Sequence, residues 1–218
     1  MAPAQPSAVR GSADNASEAA PPARPPATRQ AGGAYQKART IVLRQFGTGK
    51  IGAEIGVFKG DFSRQILDQA KPAKLYLIDP WENIYDPGLS KSWYAAGSPN
   101  DMPSLYDAVQ KRFEPEIAAG QVELCRGFSA DAMARFDDNS LDFAYVDGDH
   151  RFEGVSADLE LAFAKVRPGG VIAADDHKLG GWWADGVVRA LNEFAGRHAS
   201  GVQIVYAHFS QIVLRKLG

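Results

Sequence analysis

The chain has 218 residues, 45% of them hydrophobic, enough for one substantial core and in favour of one domain over two. Its 24 basic and 26 acidic residues give a formal net charge of -2, with no electrostatic footprint for nucleic acid or an anionic membrane. A single cysteine, Cys125, rules out a disulfide framework and a cysteine-built zinc site, and no apolar run approaches the ~18 residues of a membrane span.

Residues 1–33 are rich in Ala, Pro, Ser and Gly and lack aromatics. Pro21-Pro22 and Pro25-Pro26 forbid regular helix there, so a disordered arm is expected, followed by one domain over 34–218. The arm has no apolar core of a secretory signal; with a thiol-poor chain this makes the cytoplasm the expected compartment.

The first predicted helix runs from Tyr35 to Phe46, with Tyr35, Ala38, Ile41, Val42 and Phe46 on one stripe and Gly47-Thr48-Gly49 as its stop. Ile51 to Val57 reads as a strand that enters the turn Gly56-Val57-Phe58-Lys59-Gly60, and a helix opens at Asp61 with Phe62 and Ile66 inward. A strand, a glycine-containing turn and a helix start bring backbone amides toward a ligand. The second strand, Leu75 to Ile78, ends in Asp79, placed to accept hydrogen bonds from ribose hydroxyls. A nicotinamide cofactor would want G-x-G-x-x-G for its pyrophosphate, and only Gly56 and Gly60 are present. An oxidoreductase is therefore the weaker alternative, and an adenosine ligand carrying an amino acid, with Glu54 near its charged groups, suits the turn better.

Residues 81–103 carry Trp81, Tyr85, Trp93 and Tyr94 among Pro, Gly, Ser and Asn, which reads either as a lid or as an irregular excursion packed down by its aromatics. A helix with Leu105, Val109 and Phe113 inward leads to a third strand, Gln121 to Cys125; Gly127-Phe128-Ser129 then opens a short helix that Ser129 can cap.

Leu141 to Val146 and Gly170 to Ala174 lack polar alternation, as strands covered on both faces do. Between them Val155, Leu159, Ala162, Phe163 and Val166 keep a helical period, so the unit reads as βαβ. Its strands emerge side by side, about 4.8 Å apart, and bring Asp147 and the Asp175-Asp176 pair to one sheet edge. Convergent carboxylates repel unless neutralised, and a hard divalent cation is the natural neutraliser. The same acids would also serve as caps and turn formers. After His177 come Trp182-Trp183, suited either to wall a ring-shaped substrate or to cover the sheet edge, then a helix with Val187, Val188, Leu191, Phe194 and Ala195 on one face. Val202 to Tyr206 and Gln211 to Arg215 are too close in sequence to pair other than antiparallel. The whole is an α/β, doubly wound, seven-stranded sheet.

Ala53 to Gly60, Ile78-Asp79-Pro80-Trp81, Tyr145 to His150, Pro168-Gly169-Gly170 and Asp175-Asp176-His177 together resemble a class I S-adenosylmethionine-dependent methyltransferase. Within that superfamily the chain is similar, over residues 35 to 218, to a small bacterial branch related to macrolide-sugar and aminocoumarin-sugar O-methyltransferases. The resemblance implies a Rossmann-like sheet of order 3-2-1-4-5-7-6. It implies that Glu54, Gly56 and Gly60 line the methionine part of S-adenosylmethionine, Asp79 holds the ribose, and Gly127, Phe128 and Ser129 border the adenine. Val57, Ser63, Pro80, Trp81 and Asp147 complete the expected cofactor set. It further implies Mg2+ on Asp147, Asp175 and Asp176. Some members place a histidine base three positions after the first metal Asp, here His150; others use the second Asp of D-G-D, here Asp149. The expected acceptor is a hydroxyl of a sugar, glycan or other vicinal diol, with no nucleic-acid or membrane partner and with self-association left open. A protein that retains the fold and binds the cofactor without catalysis is the remaining alternative.

Overall fold

The computed structural model describes residues 29–218. The expected arm lies, for residues 1–28, outside the described residues; residues 29–33 are already the first turns of helix α1 (Arg29–Phe46), which starts six residues before the expected Tyr35. Among the described residues no helix is long and apolar enough to cross a membrane.

Seven strands form one sheet: β1 (Ile51–Ile55), β2 (Lys74–Asp79), β3 (Val122–Arg126), β4 (Leu141–Val146), β5 (Val166–His177), β6 (Val202–His208) and β7 (Ser210–Lys216). Their order is β3-β2-β1-β4-β5-β7-β6, the order expected. The first five run parallel, and β7 pairs antiparallel with both β5 and β6. Because side chains alternate along a strand, the sheet feeds two cores. On one face Phe143, Tyr145, Leu75 and Leu77 pack against α1, helix α2 (Asp61–Gln65, widening into a π turn over Ile66–Ala70) and helix α3 (Met102–Arg112). A short helix α4 (Glu114–Ala118) follows α3. On the other face Ile55, Ala144, Val146, Ile172 and Ala174 pack against helices α5 (Ser129–Met133), α6 (Phe152–Lys165) and α7 (Gly186–Arg197). Burying about 1.5–3 kcal/mol of apolar side chain at each such position holds both layers to the sheet.

Two differences from the expected elements bear on function. Strand β5 is longer than Gly170 to Ala174: its pairing shifts register against β4 between Leu141 and Phe143, and against β7 between Ala174 and His177. The second irregularity sits at the Asp175-Asp176 pair, where Asp176 takes a left-handed φ of 54°. Residues 81–103 hold a short 3-10 turn, Pro87–Leu89, and an isolated bridge between Ile84 and Ala95.

Candidate active site

The carboxyl ends of β1, β2, β4 and β5 meet at one edge, and the turn after β1 is its floor. Gly56 has φ 90°, and a Cβ built there would stand 2.1 Å from the Asp147 carbonyl oxygen, so only glycine lets the end of β4 pass this close. The crossing is fixed by the Gly56 amide donating to Ile78 and the Asp147 amide donating to Ile55, at 2.9 and 2.8 Å. Beneath it Glu54 is buried and accepts from the Ser63 hydroxyl at 2.5 Å; burial, opposed by that hydrogen bond, pushes its carboxyl up to about 8.

Asp79, at the tip of β2, is buried and holds the turn together. Its Oδ2 accepts from the amides of Val57 and Phe58, both at 2.9 Å, and from the Tyr94 hydroxyl at 2.5 Å; its Oδ1 accepts from the Trp81 amide at 2.7 Å. Burial nonetheless raises its pKa above the usual carboxylate value. Tyr94 belongs to the 81–103 loop, so that loop lies over the turn rather than away from it. Trp93 of the same loop stacks on Phe58 at 4.8 Å between ring centroids, and Arg151 joins Asp86 of the loop at 2.6 Å. Trp81, expected at the cofactor, is fully buried: its ring belongs to the core and its Nε1 donates to the Phe58 carbonyl. Phe128 is half-exposed beyond β3, and Ser129 donates to the buried Asp158, whose carboxyl burial pushes up to about 6.

At β4 and β5 the structure divides the expected carboxylate trio. Asp175 and Asp176 point to different surroundings at the strand irregularity, where Asp176 takes its left-handed φ. Asp176 faces β4: its Oδ2 lies 2.9 Å from His150 Nε2, and its Oδ1 accepts from Lys178 Nζ at 2.5 Å. One oxygen each of Asp147 and Asp176 and one ring nitrogen of His150 lie within 4.8 Å of one another. Asp175, only 4% exposed, faces helix α1 and strand β7. Its Oδ2 accepts from Tyr35 at 2.5 Å, Arg39 at 2.6 Å and Tyr145 at 3.1 Å; its Oδ1 accepts from Gln211 at 2.5 Å, Ser210 at 3.0 Å and the Asp176 amide at 2.6 Å. Both oxygens are committed to protein donors, so the structure brings Asp147 and Asp176 together with His150 and leaves Asp175 outside that group.

The charges follow this geometry. Burial lowers the His150 pKa, but the hydrogen bond to Asp176 and the charges of Asp147 and Asp176 outweigh it and carry the imidazole up to about 9. Burial pushes Asp176 up, and His150 and Lys178 outweigh it and hold the carboxyl at about 2. Asp147 is raised well above the carboxylate range by burial and by the charge of Asp175, against the pull of His150 and Arg39. His150 Nδ1 lies 2.8 Å from the Gly148 carbonyl, which can only accept; Nδ1 therefore carries a proton and Nε2 is the nitrogen turned to the acids. Asp149 is a different case. Arg151 grips it through Nε at 2.9 and 3.1 Å and Nη2 at 2.6 Å, so it is an ion-pair partner at the start of α6.

These residues fit a divalent cation, since two carboxylates and one imidazole converge; a cavity of about 10 Å3, the size of one water, lies against Asp147, His150 and Asp175, with Val146, Val155, Ala174 and Val187 as its apolar wall. Trp183 and Trp182 stand over His150 with ring centroids 4.7 and 6.1 Å away, and Trp183 Nε1 is buried without a hydrogen-bond partner. His177, beyond the strand irregularity, is lowered by burial.

Several residues of this edge escape sequence reading. Tyr35 and Arg39 reach it from α1, and the one available signal was a charged residue on the stripe that buries Ala38, Val42, Leu43 and Phe46. Tyr94, Tyr145, Ser210 and Gln211 carry no local signal, since their partners are distant in sequence.

A family described as a methyltransferase domain matches residues 53–177, from β1 through the end of β5. No curated protein matches the chain in sequence. Among solved structures, the O-methyltransferase NovP is similar with a TM-score of 0.57 at 16% identity, covering 87% of this chain and 80% of its own. The O-methyltransferase TomG from Streptomyces achromogenes, involved in tomaymycin synthesis and solved with S-adenosylmethionine, gives a TM-score of 0.55 at 21% identity, with the same coverage of 87% and 80%. The O-methyltransferase from Bacillus cereus, solved with S-adenosylhomocysteine, gives 0.54 at 15% identity over 90% of this chain and 84% of its own.

Proposed function

The chain belongs to the methyltransferase-domain family and is an S-adenosylmethionine-dependent methyltransferase, and from that premise we propose that it methylates a hydroxyl of a sugar, glycan or other vicinal-diol small molecule with the help of a divalent cation. The observation that carries this reading is the convergence of Asp147, His150 and Asp176 at the sheet edge beside the β1 turn. The family match lends nothing to the nicotinamide alternative.

Asp147 and Asp176 would hold the cation, Mg2+ or another divalent ion, beside His150, and when bound it would supply a neutralising charge that lowers the cost of deprotonating a hydroxyl. The chain's own residues do the rest. Glu54, Gly56 and Gly60 would line the amino-acid part of the cofactor, and Asp79 would hold its ribose. Gly127, Phe128 and Ser129 would border the adenine. Trp182 and Trp183 would wall the acceptor against His150 and keep water from it.

Proton removal falls to His150 rather than Asp149. The Gly148 carbonyl fixes the ring so that Nε2 faces the reacting edge. Against the effect of burial, Asp176 and Asp147 by themselves keep the ring protonated, with a pKa raised to about 9; with the two carboxylates neutralised by a bound cation, Nε2 would be free to take the hydroxyl proton. Asp149 is committed to its ion pair with Arg151 and turned away from the acceptor. The acceptor oxygen then attacks the methyl carbon in line as the carbon–sulfur bond breaks, leaving S-adenosylhomocysteine.

Labelled-methyl transfer from S-adenosylmethionine to a panel of diols and glycans, run with and without EDTA, tests this. Transfer to a hydroxyl that EDTA abolishes and a divalent cation restores is expected. Transfer that ignores EDTA overturns the cation, and methylation confined to nitrogen or carbon acceptors overturns the hydroxyl assignment.

A further inference from the structure

The Tyr94 hydroxyl sits on the carboxylate that the cofactor needs. An acid at the tip of the second strand serves a nucleoside by accepting from its ribose hydroxyls. Here Asp79 Oδ2 already accepts from Val57, Phe58 and Tyr94, which exhausts the lone pairs of one carboxylate oxygen. The two amides belong to the turn and are part of its fold. Tyr94 alone comes from elsewhere.

The loop that delivers it is held at three places. Trp93 stacks on Phe58, the Ile84 amide donates to the Tyr94 carbonyl at 2.7 Å, and Arg151 ties Asp86 to Asp149. Phe58 and Trp81, which flank Asp79 in space, both adopt left-handed backbone, with φ of 53° and 42°. Bulky residues rarely take that conformation, and they keep it only where their surroundings enforce it. Here the enforcing contacts are the Asp79 carboxylate and the bond from Trp81 Nε1 to the Phe58 carbonyl.

We propose that Tyr94 is a built-in plug: its hydroxyl stands in for a ribose hydroxyl on Asp79 Oδ2, so the closed 81–103 loop and the cofactor compete for one carboxylate oxygen. Resting on the reading that S-adenosylmethionine binds over the β1 turn, the plug makes binding an exchange. The loop gives up the Tyr94 contact as a ribose hydroxyl takes its place on Asp79, Trp93 leaves Phe58 with it, and both contacts re-form when product leaves. The turn stays intact throughout, because Val57, Phe58 and Trp81 keep their amides on Asp79. A Tyr94 that merely contacts the cofactor would do the opposite, adding affinity.

The two cases differ in sign. Calorimetric titration of the full chain with S-adenosylhomocysteine is expected to show Tyr94→Phe binding about tenfold more tightly than the wild type, since a hydrogen bond to a charged group no longer has to be broken. Trp93→Ala, which loosens the loop without touching Asp79, is expected to shift affinity the same way by a smaller factor. Equal or weaker binding by Tyr94→Phe overturns the plug. Asp79→Asn separates this from the cofactor reading: if it weakens S-adenosylhomocysteine while Tyr94→Phe does not tighten it, the plug alone fails. No binding by any of the four proteins overturns both.

Discussion

Asp175 and Asp176 are adjacent in sequence, and the structure gives them opposite surroundings. Asp175 is enclosed by Tyr35, Arg39, Tyr145, Ser210 and Gln211, with a 2.6 Å ion pair to Arg39, and ties α1 and β7 to the end of β5. Asp176 lies one residue on, past a left-handed turn of the backbone, and shares its carboxylate between His150 and Lys178 at the partly open edge. A carboxylate whose lone pairs are all taken by the protein is part of the fold; one that still faces a titratable ring at the partly open edge can take part in chemistry. The same division separates Asp149, gripped by Arg151, from His150 next to it.

The largest expected effect breaks the enclosed side. Asp175→Ala takes from the buried Arg39 guanidinium its 2.6 Å partner and leaves it only the 3.4 Å contact with Asp147, at a cost of about 3 kcal/mol, read from urea unfolding. On the open side, His150→Ala is expected to lower kcat for methyl transfer by about 10²-fold or more with a smaller loss of stability than Asp175→Ala, checked by activity and unfolding on the same preparation.

The next effect lies in the pH dependence of the EDTA-treated protein. His150 has a folded pKa raised to about 9, above its unfolded value, so its contribution is complete below about pH 6.5 and disappears as pH rises through 9. The loss should be on the order of 1–3 kcal/mol in wild type and absent in His150→Gln, as followed by Tm across that range. Asp176 works in the other direction: with its carboxyl held at about 2, its share is complete above about pH 4 and is lost as pH falls through 2. Smallest of all, Asp149→Asn should lower kcat/KM by less than about tenfold, the range of a partly exposed ion pair. A loss equal to that of His150→Ala would move the base to Asp149.

The sheet was legible in the sequence because strands covered on both faces have long apolar runs, and because the Pro168-Gly169-Gly170 and Gly47-Thr48-Gly49 breaks punctuate them. The strand order came from resemblance, and the pairing agrees with it. The acids at the strand tips were legible as a set, but their directions were not read. Spacing alone could not supply them, because the strand loses its regular alternation at this pair, where the pairing shifts register and Asp176 turns left-handed. Who fills Asp175 could not be read, since Tyr35 is 140 residues away and Arg39 136. The 81–103 loop posed the same difficulty. Its aromatics were visible, and the choice of Tyr94 for Asp79 depends on a fold of the loop that no periodicity encodes.

The central claim is that Asp147, His150 and Asp176 form the working group and Asp175 does not. Calorimetric titration of the metal-stripped protein with Mn2+ and with Mg2+, in wild type and in Asp176→Ala, tests it most directly. One cation per chain bound by wild type and lost in Asp176→Ala is the expected result; undiminished binding in that variant would contradict it.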